Sequence, residues 1–394
     1  MRGSEAIEVG VVGSVGEIGR DDWDRVAGGA GALDDGRPAD PFVSFDFLDA
    51  VERSGSTGEG TGWFGRHLAI ADADGRPIGL VPTWIKTHSR GEYVFDHAWA
   101  QAFERTGGRW WPKLQVAVPF TPVTGPRLLA VGDARERARI GRALIGGLEA
   151  LTEQVALSSA HATFLSAEDA ALFQAAGWSM RTDVQFHFPN RGYRDHDDFL
   201  STLLGRKRKQ LVRERREANA GVEIRLLTGA EIGEADWDAF FAFYMDTGSR
   251  KWGRPYLTRA FFSMIGETMA DRLLLVMAYE GTRPVAGALN FIGREALYGR
   301  WWGTVEDRPF LHFEVCYHRA IDWAIAHGLE RVEAGAQGEH KLARGYLPVV
   351  TRSAHRIVDA RFRAAVERYL VQERAAIDEA VVELTAQSPY AARG

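Results

Sequence analysis

The feature that most constrains the fold is a weak internal duplication, found by aligning the chain with itself. At an offset of 207 residues, LAIADADGRPIGLVP from Leu68 aligns without gaps with LVMAYEGTRPVAGAL from Leu275. Each segment contains an apolar strand, a turn with Gly and Arg-Pro, and a second strand, which is the pattern of a β-hairpin. The same hairpin is therefore predicted twice.

A second match follows at an offset of 168, where residues 156–188 align with 324–356 and His187 meets His355. An amphipathic helix precedes each of these segments. Each copy then reads as hairpin, further strand, helix, strand, helix and final strand. This order predicts a mixed α/β unit that is built twice. The alternative is that any two α/β segments align by chance.

The matches place a first domain at residues 1–190 and a second at 191–358. Because the offset falls between the two matches, the first domain is expected to carry an insertion at about 97–133, a place where function often resides. Residues 359–394 read as a long carboxyl-terminal helix, for which packing back on the first domain is one arrangement.

Charge and cysteine content exclude some classes of protein. The net charge of -5 excludes a generally basic coat protein, although residues 199–220 alone hold seven basic and two acidic side chains. A single cysteine, Cys316, cannot form an internal disulfide. The amino terminus lacks the pattern of a signal peptide, and no apolar run is long enough for a membrane helix. We therefore expect a cytoplasmic protein without a membrane span.

Polar residues follow the strand at 331–334, within EAGAQGEHKLARGY. At the 168 offset the first copy has apolar residues at several of these positions, with Leu165 opposite Glu333 and Phe173 opposite Lys341. A Gly-rich turn at the carboxyl end of a strand is where α/β sheets bind ligands, and its N–H groups can hold an anion. The alternative is a polar surface loop.

The preceding helix carries Glu314 and His318, which are four residues apart and share a face. One can orient the other as an acid/base pair, although such a pair is often only solvated. The sequence has no HExxH motif, no Cys-based zinc pattern, no GxSxG and no GxxxxGK[ST]. Metal sites, ordinary hydrolases and P-loop NTPases are therefore disfavoured.

The insertion region combines polar and aromatic side chains at high density. Such a mixture suits a pocket that stacks a planar or sugar surface and fixes it with a few polar groups. Core packing would use the same aromatics. The candidates for binding an acceptor are Glu92, Tyr93, Asp96, His97, Trp99, Lys113 and Gln115.

The segment from Gly205 predicts a basic helix with one cationic stripe. Its members are Arg206, Lys209, Arg213 and Arg216. No acid lies within the stripe, so it suits a phosphate-bearing partner, whereas the alternative is a solvated face. Lys207 projects to the apolar side and must extend its charge to water or to a buried ligand.

Several long motifs resemble a known family. YVFDHAWAQAFER, WPKLQVAVPFTPVTGPRLL and LHFEVCYHRAIDWAIAHGLERVEAGAQGEHKLARGYLP are similar to FemAB-like predicted N-acyltransferases. GRKRKQLVRERREANAGVEIRLL resembles the basic helix and strand that open the second domain of the FemABX peptidyltransferases of peptidoglycan cross-bridge synthesis. The resemblance covers nearly the whole chain and implies two tandem GNAT-like domains of α/β class, with mixed central sheets.

The resemblance also implies acyl transfer to an amine without a covalent enzyme intermediate. Such a site needs proton removal, an oxyanion donor and tight alignment. The residues that we expect to manage the proton are Glu333, His340 and Glu314. Those that we expect to hold the donor are Arg206, Lys207, Lys209, Arg213, Arg300, Gly335, Gln337, Gly338 and Lys341.

The donor separates three hypotheses. GNAT enzymes that use acyl-CoA share a Q/R-x-x-G-x-G/A turn for the pyrophosphate, and RARIGRA from Arg137 has its glycine in the wrong register. Together with the basic helix, this favours aminoacyl-tRNA as co-substrate and tRNA as partner. Acyl-CoA with a small amine is the alternative, and a non-catalytic ligand-binding module is the third. The acceptor is a small-molecule or cell-wall-precursor amine; no bound cofactor and no DNA partner are expected.

Overall fold

The computed structural model describes residues 7–252, 255–335 and 338–391. Its strands are β1 (Gly10–Val12), β2 (Trp63–Gly65), β3 (His67–Ala71), β4 (Pro77–Val81), β5 (Thr83–Lys86), β6 (Lys113–Val116), β7 (Leu129–Ala130), β8 (Ser159–Ala162), β9 (Ser179–Pro189), β10 (Glu223–Thr228), β11 (Leu273–Glu280), β12 (Arg283–Ile292), β13 (Ala296–Thr304), β14 (Arg331–Glu333) and β15 (Leu347–Ile357).

The α-helices are α1 (Arg20–Gly28), α2 (Phe45–Arg53), α3 (His97–Arg105), α4 (Ala134–Gln154), α5 (Ala167–Ala175), α6 (His196–Ser201), α7 (Gly205–Ala218), α8 (Glu234–Trp252), α9 (Arg259–Thr268), α10 (Leu311–Phe313), α11 (Arg319–Ala326) and α12 (Ala360–Ala386). A π-helical turn, Glu314–His318, joins α10 to α11. A 3-10 helix, Glu339–Arg344, precedes β15.

The chain forms two compact units. The first comprises Met1–Asp183 and Thr351–Ile377, and the second comprises Val184–Val350 and Asp378–Gly394. The chain passes from one unit to the other within β9, within β15 and within α12. These two α/β units, with their mixed sheets and long carboxyl-terminal helix, confirm the predicted fold class.

The first unit contains a sheet in the order β1-β3-β4-β7 and a second series β15-β8-β6-β5-β2. Its hairpin is the predicted one, because β3 and β4 pair antiparallel with Leu68 opposite Val81. The only parallel pair among these described strands is β6 with β8. Helix α4 packs its apolar side, including Ile140, Leu144 and Leu148, into the core of this unit.

The second unit repeats the pattern with the order β10-β11-β12-β13-β14-β9. The predicted hairpin is β11 with β12, in which Val276 lies opposite Ala288. Strand β14 runs parallel to β13 and antiparallel to β9. The core combines β-strand residues with apolar residues of α10, the π-helical turn and α11, such as Leu311, Val315 and Ile321.

The strand registers correct one part of the sequence alignment. On β9, His187 lies opposite Glu333, and on β15 the aligned residue His355 lies opposite His161. The counterpart of Glu333 is therefore His161, not Leu165 as the 168 offset predicted. The error arises because helix α5 follows β8, whereas only the shorter 3-10 turn follows β14.

The extra residues of the first copy are also distributed differently along the chain. Strand β6 is the counterpart of β13. Strand β6 runs parallel to β8, which follows helix α4, and β13 runs parallel to β14, which follows helix α11. The additional chain therefore lies on both sides of β6, at 87–112 and 117–133. Helix α3 lies in the first of these segments, which begins directly after β5.

The first three turns of α12 contribute Phe362, Val366 and Leu370 to an aromatic core of the first unit with Trp99 and Trp110. These three apolar residues share one side of the helix, which therefore has packing partners. Within the described residues, no helix is both long enough and apolar enough to cross a membrane.

Candidate functional site

The carboxyl end of β14 carries a buried carboxylate. Glu333 is 4% exposed, and its Oε1 accepts a hydrogen bond of 2.9 Å from Nε of Arg331. Its second oxygen, Oε2, accepts no hydrogen bond within the described part of the chain. A buried oxygen left in this state is available to a proton or a donor group.

His187 on the neighbouring strand faces this oxygen, with 3.7 Å between Nε2 and Oε2 of Glu333. The same nitrogen lies 3.4 Å from Oε1 of Gln185. Burial lowers the pKa of His187, and Arg331 and Lys341 act in the same direction, whereas Glu333 opposes them. The ring is therefore neutral at pH 7.

Lys341 is almost wholly buried, at 1% exposure, and its Nζ donates to the carbonyl oxygen of Gly335 at 2.9 Å. No carboxylate of the described residues lies within ion-pair distance of this amine. Burial lowers the pKa of Lys341 to about 7, and Arg300 adds to the effect while Cys316 opposes it. Such an amine can change protonation state near neutral pH.

His340 lies at the exposed edge of the same segment. Its Nε2 is 3.0 Å from Oη of Tyr317, whose pKa is raised by burial. Gly338 precedes it with a φ of 117°, a conformation that favours glycine. The predicted donor-binding residue Gln337 lies outside the described residues.

The predicted pair of Glu314 and His318 does not form. Glu314 is fully buried in the π-helical turn, and its Oε1 contacts Nε of Arg319 at 2.7 Å and Nε of Arg215 at 3.3 Å. His318 is buried too, and burial lowers its pKa well below the usual value. The two arginines, rather than the histidine, are the partners of this carboxylate.

Three ion pairs fix the inner side of helix α7. Arg215 reaches Asp322 of α11 as well as Glu314. Glu214 accepts a hydrogen bond of 2.7 Å from Nη2 of Arg344, whose guanidinium carbon lies 3.4 Å from the centre of the Phe313 ring. Helix α7 is thereby tied to the segment that carries Lys341 and His340.

The outer side of α7 presents the predicted cationic stripe. Arg206, Lys209, Arg213 and Arg216 are all exposed, and none makes an ion pair with a described residue. Lys207 is half-buried beside them. Arg300, on β13, is half-buried with its guanidinium carbon 5.5 Å from the centre of the Trp301 ring.

The inserted segment of the first unit forms a buried cluster of charges. Nζ of Lys113 contacts Glu92 at 2.7 Å and Asp96 at 2.5 Å, and Nζ of Lys86 contacts Glu92 at 3.0 Å. Two cations and two anions balance one another, as buried charges require. Burial lowers the pKa of Lys86 to about 7, although Glu92 opposes this.

The other predicted acceptor residues have separate surroundings. Gln115 is buried on β6 and donates to Oγ1 of Thr163 at 3.2 Å. Trp99 is buried with its edge against the ring of His355. Tyr93 is half-buried with a φ of 60°, and His97 is exposed at the start of α3.

A cavity of about 340 Å³ lies in the first unit. Its walls include Phe103, Arg109 and Trp111. None of the predicted acceptor residues lines it. A pocket was predicted in the inserted segment, but the residues that line this cavity were not. Their spacing along the chain does not indicate which side chains face solvent.

Two residues of the site, His187 and Arg344, are not among those predicted from the sequence, in which His187 stands out only by its alignment with His355. The signal for His187 was present in its match with His355 on equivalent strands. No pattern signalled the partnership of Arg344 with Glu214, which are 130 positions apart. The segment from Arg137, considered for a pyrophosphate turn, lies inside helix α4 and has no free helix start.

The two repeated units define a protein of α/β class with mixed central sheets. The chain belongs to the FemAB-like family, described as peptidoglycan biosynthesis/recognition, whose profile matches residues 14–392. The predicted family is thus confirmed. A search of curated protein sequences gave no significant match.

Three solved structures illustrate the likeness of the fold. FemX is 12% identical, with 82% of this chain and 94% of that chain covered and a TM-score of 0.47. A tandem GNAT protein from the clavulanic acid biosynthesis pathway is 12% identical, with 89% and 97% covered and a TM-score of 0.45. L-PGS from Bacillus licheniformis is 11% identical, with 82% and 95% covered and a TM-score of 0.47.

Proposed function

We propose that this protein is an N-acyltransferase that forms an amide by moving an aminoacyl group from aminoacyl-tRNA to an amine. Membership of the FemAB-like family supports acyl transfer in general. The observation that carries the choice of donor is the exposed, unpaired cationic stripe of α7. Cations arranged in this way bind a phosphate backbone and release its counterions.

In the proposed reaction, a neutral amine attacks the ester carbonyl carbon of the donor. A C–N bond forms, the C–O bond to the tRNA ribose breaks, and the ribose oxygen leaves with a proton. Glu333 takes the proton that the amine nitrogen loses, because Oε2 is free to accept it, and passes this proton to the leaving ribose oxygen, which regenerates the carboxylate. Lys341 and the N–H groups of Gly335 and Gly338 stabilise negative charge on the donor.

Glu314 has a different role in this proposal from the one that the sequence suggested. Its carboxylate is enclosed by Arg215 and Arg319, so it fixes α7 against the π-helical turn and does not touch substrate. The acceptor-binding role of the inserted segment stays a prediction. The same holds for the domain limits at residues 190 and 358.

The donor is tested by binding measurements. Charged tRNA is titrated against the full chain at several KCl concentrations, for the wild type and for Arg206→Ala/Lys209→Ala/Arg213→Ala. The triple variant should bind at least about tenfold more weakly, with a salt slope that is smaller by about two to three. The matched control is Arg135→Ala/Arg139→Ala/Arg142→Ala, which removes three exposed arginines from α4.

Equal effects of the two triple variants would remove α7 from tRNA binding. Transfer of labelled alanine from tRNA and of labelled acetate from acetyl-CoA is then compared, with ethanolamine and the tripeptide Ala-Lys-Ala as acceptors. RNase should abolish transfer, and RNase-resistant transfer from acetyl-CoA would establish the acyl-CoA alternative. Donor binding without transfer to either amine would instead indicate a binding module.

Catalysis is tested in the same assay with Glu333→Gln and His340→Ala. Loss of the proton acceptor should lower the rate of transfer by about 100-fold or more, while tRNA affinity stays close to that of the wild type. Unchanged rates in both variants would exclude the segment after β14 from the mechanism.

A further inference from the structure

In each unit, a histidine on the last strand faces a second titratable residue on the neighbouring strand. In the second unit, His187 of β9 lies opposite Glu333 of β14. In the first unit, His355 of β15 lies opposite His161 of β8. The duplication has therefore placed one imidazole and one further titratable group at the same point of each sheet.

The surroundings of the two pairs are duplicated as well. Alternate residues of a strand share one face, so each member of a pair is accompanied by the residue two positions earlier. These contacts are His187 with Gln185 at 3.4 Å, His355 with Ser353 at 2.9 Å, Glu333 with Arg331 at 2.9 Å and His161 with Ser159 at 2.8 Å. Each pair thus belongs to a polar quartet of the same design.

The quartet of the first unit is closed. The Nδ1 atoms of His161 and His355 are 2.7 Å apart, and both side chains are 2% exposed. The edge of Trp99 lies against His355, with ring centres 5.0 Å apart, and Trp110 lies 5.6 Å from His161. Trp110 is itself held by a hydrogen bond of 2.8 Å from its Nε1 to Asp96.

The inserted segment therefore supplies the side chains that seal this quartet. Burial lowers the pKa of His161 to about 3 and that of His355 well below its usual value, so both rings stay neutral. The two Nδ1 atoms contact each other, and each Nε2 contacts a serine hydroxyl, so neither neutral ring has a free nitrogen with which to take a proton from a ligand.

The quartet of the second unit is partly exposed and contains one oxygen atom that accepts no hydrogen bond from the described residues. The side chain of His187 is 12% exposed, and Oε2 of Glu333 accepts no hydrogen bond in the described chain. The distance of 3.7 Å between Nε2 and Oε2 is longer than a hydrogen bond, and contacts of this kind often tighten when substrate binds.

We infer that His187 is a positioning residue for Glu333 and that the pair of His161 and His355 is its sealed counterpart, without a part in the reaction. When substrate binds, the N–H at Nε2 of His187 hydrogen bonds to Oε2 and holds the carboxylate in the orientation needed to receive the proton of the amine. This inference rests on the proposed function for the identity of the reaction. The coupling between the two residues is independent of it.

The coupling is tested first, without substrate. The full chain is labelled with ¹⁵N-histidine, the His187 and His355 signals are assigned by substitution, and both are titrated in the wild type and in Glu333→Gln. The charged groups that face His187 are Glu333, Arg331 and Lys341. Removal of the carboxylate charge should lower the pKa of His187 further and leave the His355 signal unchanged. An unchanged titration of His187 would overturn the inference, whatever the protein transfers.

The role in transfer is tested with three variants. His187→Ala should lower kcat by about tenfold and move the acid limb of the rate–pH profile to higher pH, because the carboxylate loses a donor. His187→Gln keeps an N–H donor and should restore most of the rate. His355→Gln is the matched control and should leave rate and profile unchanged.

A rate loss in His187→Ala without a shift of the limb would indicate a merely structural role and overturn the inference. If His355→Gln loses transfer while its thermal midpoint equals that of the wild type, the claim that the first quartet takes no part in the reaction is contradicted. Absence of transfer in the wild type would overturn the proposed function, and the titration would still decide the coupling.

Discussion

Arg344 and Glu214 form a buried ion pair in the second unit, with 2.7 Å between Nη2 and Oε2 and side-chain exposures of 5% and 4%. The pair joins the 3-10 turn before β15 to the inner face of the basic helix α7. The residues that we propose for proton transfer and those that we propose for tRNA binding are therefore connected through one contact.

Glu214→Ala should destabilise the protein by about 3–5 kcal/mol, because it leaves the guanidinium of Arg344 buried without its anion. Urea unfolding measures the change. Glu217→Ala, on the exposed side of the same helix, is the control and should change the free energy of unfolding by less than about 0.5 kcal/mol. Similar values for the two variants would mean that the pair contributes little.

The charge cluster of the inserted segment predicts a compensating double variant. At a pH below 7, where Lys86 is charged, Asp96→Asn leaves two buried cations with one carboxylate and should lower the free energy of unfolding by about 3–5 kcal/mol. Lys86→Met in the same chain restores the balance, because Lys113 and Glu92 remain paired. A double-mutant cycle in urea should therefore show recovery of more than half of the loss. If the free-energy losses of the two single variants simply add in the double variant, the proposed balance of buried charges is contradicted.

The lowered pKa of Lys341 predicts a pH dependence of stability. Its folded pKa of about 7 lies below the usual 10.5, so the unfolded chain binds more protons between these values. The stability associated with this group is fully present above pH 10.5 and is lost as the pH falls toward 7. Lys86 acts in the same direction.

Between pH 7.5 and 9, the free energy of unfolding should rise by about 1.4 kcal/mol per pH unit for each lysine. Lys341→Met should remove one of these contributions and raise stability at pH 7. Urea midpoints at three pH values measure the slope. An equal slope in the variant and the wild type would show that Lys341 is charged in the folded state at pH 7.

Gly338→Ala tests the geometry beside His340. A Cβ at this position would approach Cε1 of His340 to 2.4 Å, and φ is 117°. The substitution should cost about 1–3 kcal/mol and displace the ring from Tyr317, which lowers the transfer rate. Gly281→Ala has a φ of 62° in open space and is the control. It should lower the thermal midpoint but leave the rate unchanged.

Much of the fold could be predicted from the sequence. The two hairpins from Leu68 and Leu275 and the basic helix from Gly205 are local patterns, and local patterns depend on neighbouring residues. The duplication also identified His187 and His355 as equivalent. The alignment failed at Glu333, because the shorter connection after β14 cannot be recognised from residue types.

The sequence by itself determined the repeated α/β plan and the cationic stripe, since periodicity and charge spacing suffice for these, and its long motifs carried the resemblance to the family. Only the tertiary structure decided which polar residues are partners. Glu314 pairs with Arg215 rather than with its helical neighbour His318. Lys113 is neutralised by Glu92 and Asp96 inside the first unit. The physical reason is burial: a charge removed from water must find a partner of opposite sign, and that partner is set by packing, not by distance along the chain.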